Sequence, residues 1–178
     1  MDIDFDLIIE LQRLDIELPA PFAPMNPSFV RHDGGWTGVV RGVNYRIESG
    51  HYRTEDPEGA IRTRNFLVRL RDDLTIAGVR EIADRSRLAR DPRARIRGFE
   101  DCRLFRWRGA WWCTATVRDL PGDSRATMTL LQLDADGDVA DARVLGGFGD
   151  TMHQKNWMPM VDERLRLVYS CGPSIVLD

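Results

Sequence analysis

The chain has 178 residues, 43% hydrophobic and 30% charged, which suits one soluble domain with a real core. A formal charge of -3 at pH 7 gives no global case for nucleic acid or an anionic membrane, and no apolar run approaches the roughly 20 residues that span a bilayer. The start, Met1-Asp2-Ile3-Asp4-Phe5-Asp6, is acidic where a secretory leader is basic, and Cys102, Cys113 and Cys171 are too widely spaced for a disulfide framework, so they read as buried thiols of a cytoplasmic protein.

In chain order, the pattern is β throughout. The first unit has a polar-headed strand, Asn26-Pro27-Ser28-Phe29-Val30, a turn at His32-Asp33-Gly34-Gly35, and a second strand from Trp36 to Arg41. Further strands at Phe66 to Leu70 and Leu74 to Val79 flank Arg71-Asp72-Asp73. The second unit repeats the layout with Glu100 to Phe105, a turn at Arg108-Gly109 and Trp111 to Val117, followed by Thr127 to Leu133 and Val139 to Leu145. The third has Asn156 to Val161, a turn at Asp162-Glu163-Arg164 and Leu165 to Ser170. Asp-Gly and Arg-Gly pairs supply the positive φ of tight hairpins. The long connections are Glu48 to Arg62 and Ile82 to Arg97; the second is arginine-rich and opens like a short helix. It reads as a solvated face, as charge runs usually do, with a phosphate- or RNA-facing patch as the functional alternative; the absence of interleaved aromatics counts against nucleic acid.

Repeated units of about four antiparallel strands suggest the blades of a β-propeller, here at roughly residues 20–82, 98–146 and 153–178 of one domain. A β-sandwich with Greek-key links is the alternative. About two and a half blades do not close, so the chain reads as a truncated propeller or as part of an assembly, a homo-oligomer included.

In a propeller the inner strands run along the axis, and their polar heads would converge on one mouth. Those heads are Asn26, then Glu100-Asp101 with Arg103, then Lys155-Asn156. Lys155 is the sole lysine among 25 basic residues; a compact ammonium and a planar guanidinium are not interchangeable. Such a set suits a polyhydroxylated or phosphorylated ligand. Trp157 beside Lys155-Asn156 is the best candidate for stacking on a sugar, ahead of Trp111 or Trp112. Asp101 and Arg103, two apart on one strand, also read as a simple ion pair.

Three motifs resemble a known family. Gly98-Phe99-Glu100-Asp101-Cys102-Arg103 looks like the Gly-x-Glu-Asp-Pro-Arg signature of the five-bladed propeller glycosidases of family 130, the β-mannoside phosphorylases and hydrolases. Asn26-Pro27 with Val39-Val40-Arg41-Gly42-Val43 is similar to that family's first blade, and Lys155-Asn156 with Pro159 to its Lys-Asn segment. The related propeller β-1,2-mannosyltransferases share much of this pattern. The resemblance covers about residues 26–175 and implies an inverting single displacement on β-mannosidic linkages. Asp101 would be the general acid, relaying its proton through a sugar hydroxyl. Arg103 and Lys155, with Asn156, would hold phosphate or substrate, and Asn26 and Arg41 would contact the sugar. Alternation along the strand turns Glu100 away from Asp101 and ranks it below. No cofactor is implied beyond inorganic phosphate as co-substrate; the partner would be an oligosaccharide or sugar phosphate, with no nucleic acid or membrane. Cys102 stands where the motif has proline, and the family's later blades would carry its remaining site residues.

Two other function classes share these residues: a propeller that binds sugar or sugar phosphate without turnover, and an interaction scaffold. Asp134, Asp136 and Asp138 read as a hairpin turn, since the glycine and closing glutamate of a calcium loop are misplaced or missing. His32, His51 and His153 lack metal-ligand spacing. Gly146-Gly147-Phe148-Gly149 reads as a loop, with no following helical pattern for a dinucleotide.

Overall fold

The structure, a computed structural model, describes residues 12–32, 34–122, 124–146 and 153–178. None of these is helical, so no helix among them is long and apolar enough to cross a membrane. Asp33 of the first turn, the acidic start Met1 to Asp6 and the Gly147-Phe148-Gly149 part of the glycine loop lie outside the described residues.

The all-β expectation holds. The first sheet contains β1 (Ala23–His32), β2 (Gly35–Val43), β5 (Ile61–Arg71) and β6 (Ile76–Glu81) in that order, with the short β7 (Ile96–Arg97) parallel to the start of β5. The second runs β8 (Glu100–Trp107), β9 (Ala110–Val117), β10 (Thr127–Leu133), β11 (Val139–Val144). The third is β12 (Met158–Val161), β13 (Leu165–Cys171), β14 (Ser174–Leu177). Between β2 and β5, β3 (Tyr45–Glu48) and β4 (His51–Thr54) form a separate hairpin that the sequence reading left as a connection. Arg108 (φ 49°) and Gly109 (φ 78°) make the two-residue turn between β8 and β9, both in the left-handed region that a type I′ turn needs.

The first strands of the sheets lie side by side: β8 packs against β1 on one flank and β12 on the other. They are joined by side chains rather than a backbone ladder. The Leu104 amide donates to Ser28 Oγ at 2.9 Å across one seam, and Thr114 Oγ1 to the Trp157 carbonyl at 3.2 Å across the other. β2 is covered on both faces, and every residue of it but the partly exposed Trp36 is buried, Arg41 included. Val39 joins Phe99, Cys102, Leu104 and Cys113 in the core between the first two sheets, while Val40, Val68 and Leu70 face Leu14 and Ile16 ahead of β1. Met128, Trp157 and Leu167 fill the second seam. Gly38 is required where Phe29 crosses it, because a Cβ there would lie 2.3 Å from the ring.

Two expectations are corrected. Residues 82–97 form no helix. Asp84 accepts the Ser86 amide at 3.0 Å and Asp91 the Arg93 amide at 2.8 Å, which offers the backbone local bonds in place of helical ones. The arginines there tie loops together: Arg85 pairs with Asp138 at 2.7 Å, Arg97 with Glu58 at 3.1 Å, and Arg90 with Asp119. Cys171 is exposed, unlike the buried Cys102 and Cys113, because it ends β13 at a turn. The Asp134-to-Asp138 segment is a hairpin turn, with the Asp138 amide on Asp134 Oδ1 at 2.9 Å.

Candidate functional site

The site begins with a backbone feature. Asn26 (φ 45°), Asp101 (φ 53°) and Asn156 (φ 63°) are left-handed, one at the head of each sheet's first strand. Asn and Asp tolerate this region better than other residues with a side chain, and such positions cluster at functional sites. In β1 and β8 the register shifts there, between Met25 and Ser28 and between Glu100 and Arg103. Each strand bulges at its head and re-aims the side chain.

The bulge on β8 decides the electrostatics. Arg41 on β2 lies opposite Met25 on β1, and its side chain is only 6% exposed. Its Nη1 donates to Asp101 Oδ1 at 2.8 Å, its Nη2 to Glu100 Oε1 at 2.8 Å, and its Nε to Thr63 Oγ1 at 3.1 Å. Strict alternation would have turned Glu100 away. The left-handed Asp101 breaks that alternation, so both carboxylates meet one guanidinium. Asn26 Nδ2 adds a second bond to Asp101 Oδ1 at 2.6 Å. Among the described residues Asp101 Oδ2 accepts no hydrogen bond. Glu100 Oε2 faces Arg118 Nε at 3.5 Å.

Tyr45, which the sequence reading missed, closes this side. Burial raises its hydroxyl above the usual tyrosine range; Arg41 opposes that rise, and Tyr52, Glu100 and Asp101 reinforce it. Its hydroxyl lies 3.6 Å from Met25 Sδ, next to Asn26.

Asn26, Arg41, Glu100 and Asp101 therefore form one bonded cluster. Arg103, Lys155 and Asn156 are not bonded to it. Arg103 stands opposite Thr114 on the sheet face that meets Trp157. It makes no ion pair among the described residues, and its buried Nε lacks a partner. The ion pair with Asp101 is thus absent: Arg41 takes that carboxylate. The segment carrying Lys155 and Asn156 is pinned at both ends, by the Gln154 amide on the Ala126 carbonyl at 2.7 Å and by the Thr114–Trp157 bond. Both residues are exposed, and Lys155 has no ion pair among the described residues. Two charges of each sign offset one another in the Arg41–Arg118–Glu100–Asp101 group.

Trp157 is a correction. Its side chain is 2% exposed, packed on Met128 and Leu167 with Tyr169 edge-on at 5.7 Å, so it is core and not a stacking surface. Trp111 and Trp112 do face opposite ways, but they sit at the turn end of β9, roughly 15 Å along the strand from Asp101. His32 bonds Thr37 at 2.8 Å and His153 Nδ1 accepts the Ala126 amide at 3.1 Å, both structural contacts.

No protein-family model and no curated protein matches the chain. A solved structure described as a bifunctional GH43-CE protein of Bacteroides eggerthii is similar over 83% of this chain and 22% of its own, at 15% identity and a TM-score of 0.39. This chain thus spans about a fifth of that protein, and a likeness at this level leaves the functional reading to the site itself.

Proposed function

We propose that the three sheets are consecutive blades of a five-bladed type of propeller, and that the cluster at Asp101 is the sugar site of a family-130-like enzyme acting on β-mannosidic linkages. The observation that carries this reading is the posture of Asp101. Asn26 and Arg41, both from the neighbouring sheet, hold one carboxylate oxygen, and Oδ2 accepts no hydrogen bond among the described residues.

In the proposed reaction Asp101, ionised in the free protein, takes up a proton on Oδ2 as anionic phosphate enters the site, and gives it to a hydroxyl of the bound mannoside. That hydroxyl passes its own proton to the glycosidic oxygen, and the C1–O bond breaks. Phosphate, held by Arg103 and Lys155 with Asn156 beside them, attacks C1 from the opposite face, yielding mannose 1-phosphate and a free sugar with inversion. Arg41 positions the carboxylates, and Asn26 fixes Asp101. Glu100 faces arginines with both oxygens, so it is poorly placed to activate water. This favours phosphate, which arrives as a nucleophile, over hydrolysis.

The test is release of mannose 1-phosphate from β-1,4-mannobiose with and without phosphate. The wild-type chain should release it only with phosphate, and Asp101→Asn should lower turnover by about 10²- to 10⁴-fold. Unchanged turnover in that variant removes the acid role. Mannobiose binding without turnover by the wild-type chain supports instead a non-catalytic sugar-binding propeller.

A further inference from the structure

The hairpin of β3 and β4 grows from the end of β2, only a few residues past Arg41, at the rim where Asn26 and Asp101 meet. Its tight turn is Ser49 (φ 50°) and Gly50 (φ 80°), both left-handed. Tyr45 pairs with Thr54, Arg46 with Arg53, Ile47 with Tyr52 and Glu48 with His51. Alternation then puts Tyr45, Ile47 and Tyr52 on one face and the charged residues on the other. The aromatic face is the one anchored to the site, through Tyr45 beside Met25. Tyr52 leans edge-on against Tyr45, with ring centroids 4.9 Å apart at 86°.

Tyr52 (62%) and Ile47 (60%) are the most exposed large apolar side chains among the described residues, and they face each other across the hairpin. The Tyr45–Tyr52 and Ile47–Tyr52 pairs brace the hairpin, yet they leave most of the Tyr52 ring in water, beside a hydrogen-bonding cluster. Resting on the reading of Asp101 given above, we propose that this aromatic face is one wall of a pyranose subsite, with Tyr52 as the stacking platform for the sugar unit next to the one at Asp101.

The chemistry selects the occupant. A pyranose has an apolar C–H face for the ring and hydroxyls for Asp101 Oδ2 and Asn26, whereas a purely apolar partner would leave those polar groups unpaired. Two side chains also offer far less than the roughly 1,000 Å² that a stable protein interface buries.

The test is titration of the full chain with β-1,4-mannobiose and, separately, mannose, read by backbone amide chemical shifts. Mannobiose should shift amides of both the 45–54 hairpin and the 100–103 segment. Tyr52→Ala should weaken mannobiose binding by about 3- to 10-fold, the range expected for one aromatic contact, and Tyr52→Phe should restore it. The ring is mostly in solvent, so Tyr52→Ala keeps its fold. Hairpin shifts without turnover support the subsite while removing the enzyme reading. Shifts confined to 100–103, or an unaltered affinity in Tyr52→Ala, overturn the subsite and leave the enzyme reading standing. An absence of shifts everywhere overturns both. A chain that is dimeric in light scattering, and monomeric as Tyr52→Ala, has a second copy on this face, which also overturns the subsite.

Discussion

Replacing Arg41 by methionine tests the cluster as a physical object, independent of any ligand. Methionine keeps an unbranched stem of similar length but removes the charge. Both carboxylates lose their main partner while remaining mostly buried, with Glu100 14% and Asp101 19% exposed. Removing one member of a buried ion pair costs about 3–5 kcal/mol. Asn26 still bonds Asp101 and Arg118 still faces Glu100, so the lower end, about 3 kcal/mol, is expected. Arg41→Lys keeps the charge but cannot fork to two carboxylates, and should cost about 1.5–2 kcal/mol. Urea unfolding followed by tryptophan fluorescence gives both values, with an unchanged m-value as the check on two-state behaviour. Adding Glu100→Gln and Asp101→Asn to Arg41→Met should recover part of the loss, because neither side chain is then a buried charge without its partner, and only the more accessible Arg118 loses its contact with Glu100. A cost below about 1 kcal/mol for Arg41→Met, or strict additivity in the combined variant, would refute the account of the site as a buried charge network.

Three further outcomes follow from other parts of the molecule. Asp138, whose side chain is 5% exposed, accepts Arg80 Nη1 at 2.7 Å and the Ala83 amide at 3.1 Å, and the Arg80 bond holds its carboxyl below the usual range. With a lowered folded-state pKa, its contribution is full above the ordinary aspartate range and fades as pH falls through the lowered value. Asp138→Asn should therefore cost about 1.5 kcal/mol at pH 7, discounted for the partly exposed arginines, with the gap from wild type closing below about pH 4 in unfolding curves. Gly98→Ala should lower the melting temperature by about 4–10 °C, since φ is +101° and a Cβ would lie 2.3 Å from the Thr63 carbonyl oxygen, just ahead of Glu100; a shift under about 2 °C contradicts the close approach. With Ellman's reagent, one of the 3 thiols should react promptly in the native protein, Cys171. Cys113, pushed up by its hydrogen bond with Cys102 and by burial, should react only on unfolding, together with Cys102.

The three main hairpins were legible because turn chemistry and apolar alternation agree at Arg108-Gly109 and along Trp111 to Val117. The β3–β4 hairpin was legible in principle: Tyr45-Arg46-Ile47-Glu48, Ser49-Gly50, then His51 to Thr54 is an alternating pair around a turn, but its polar weight hid it in a connection. The helical look of Ile82 onward fails because Asp84 and Asp91 each bind the amide two residues on, local turns that compete with the helix and that the charge pattern hid. At the site, motif order pointed to Asn26, Arg41 and Asp101, whereas the place of Glu100 depends on one backbone angle at Asp101. Trp157, expected at the site, is core, and Tyr45, on which the sequence reading was silent, stands beside the site: which ring is covered depends on how neighbouring sheets dock, and no local pattern encodes that.

The seam between β1 and β8 lacks a continuous ladder, and Arg41 reaches across it from the first sheet to grip two acids of the second. A guest molecule clasping Asn26 and Asp101 together would act as an added rivet between layers that the main chain leaves unlaced. Its affinity and the resistance of the protein to unfolding are then linked, with saturation at a hundredfold excess over Kd contributing about 2.7 kcal/mol, so thermal shift becomes a direct gauge of whether those layers are held as a pair.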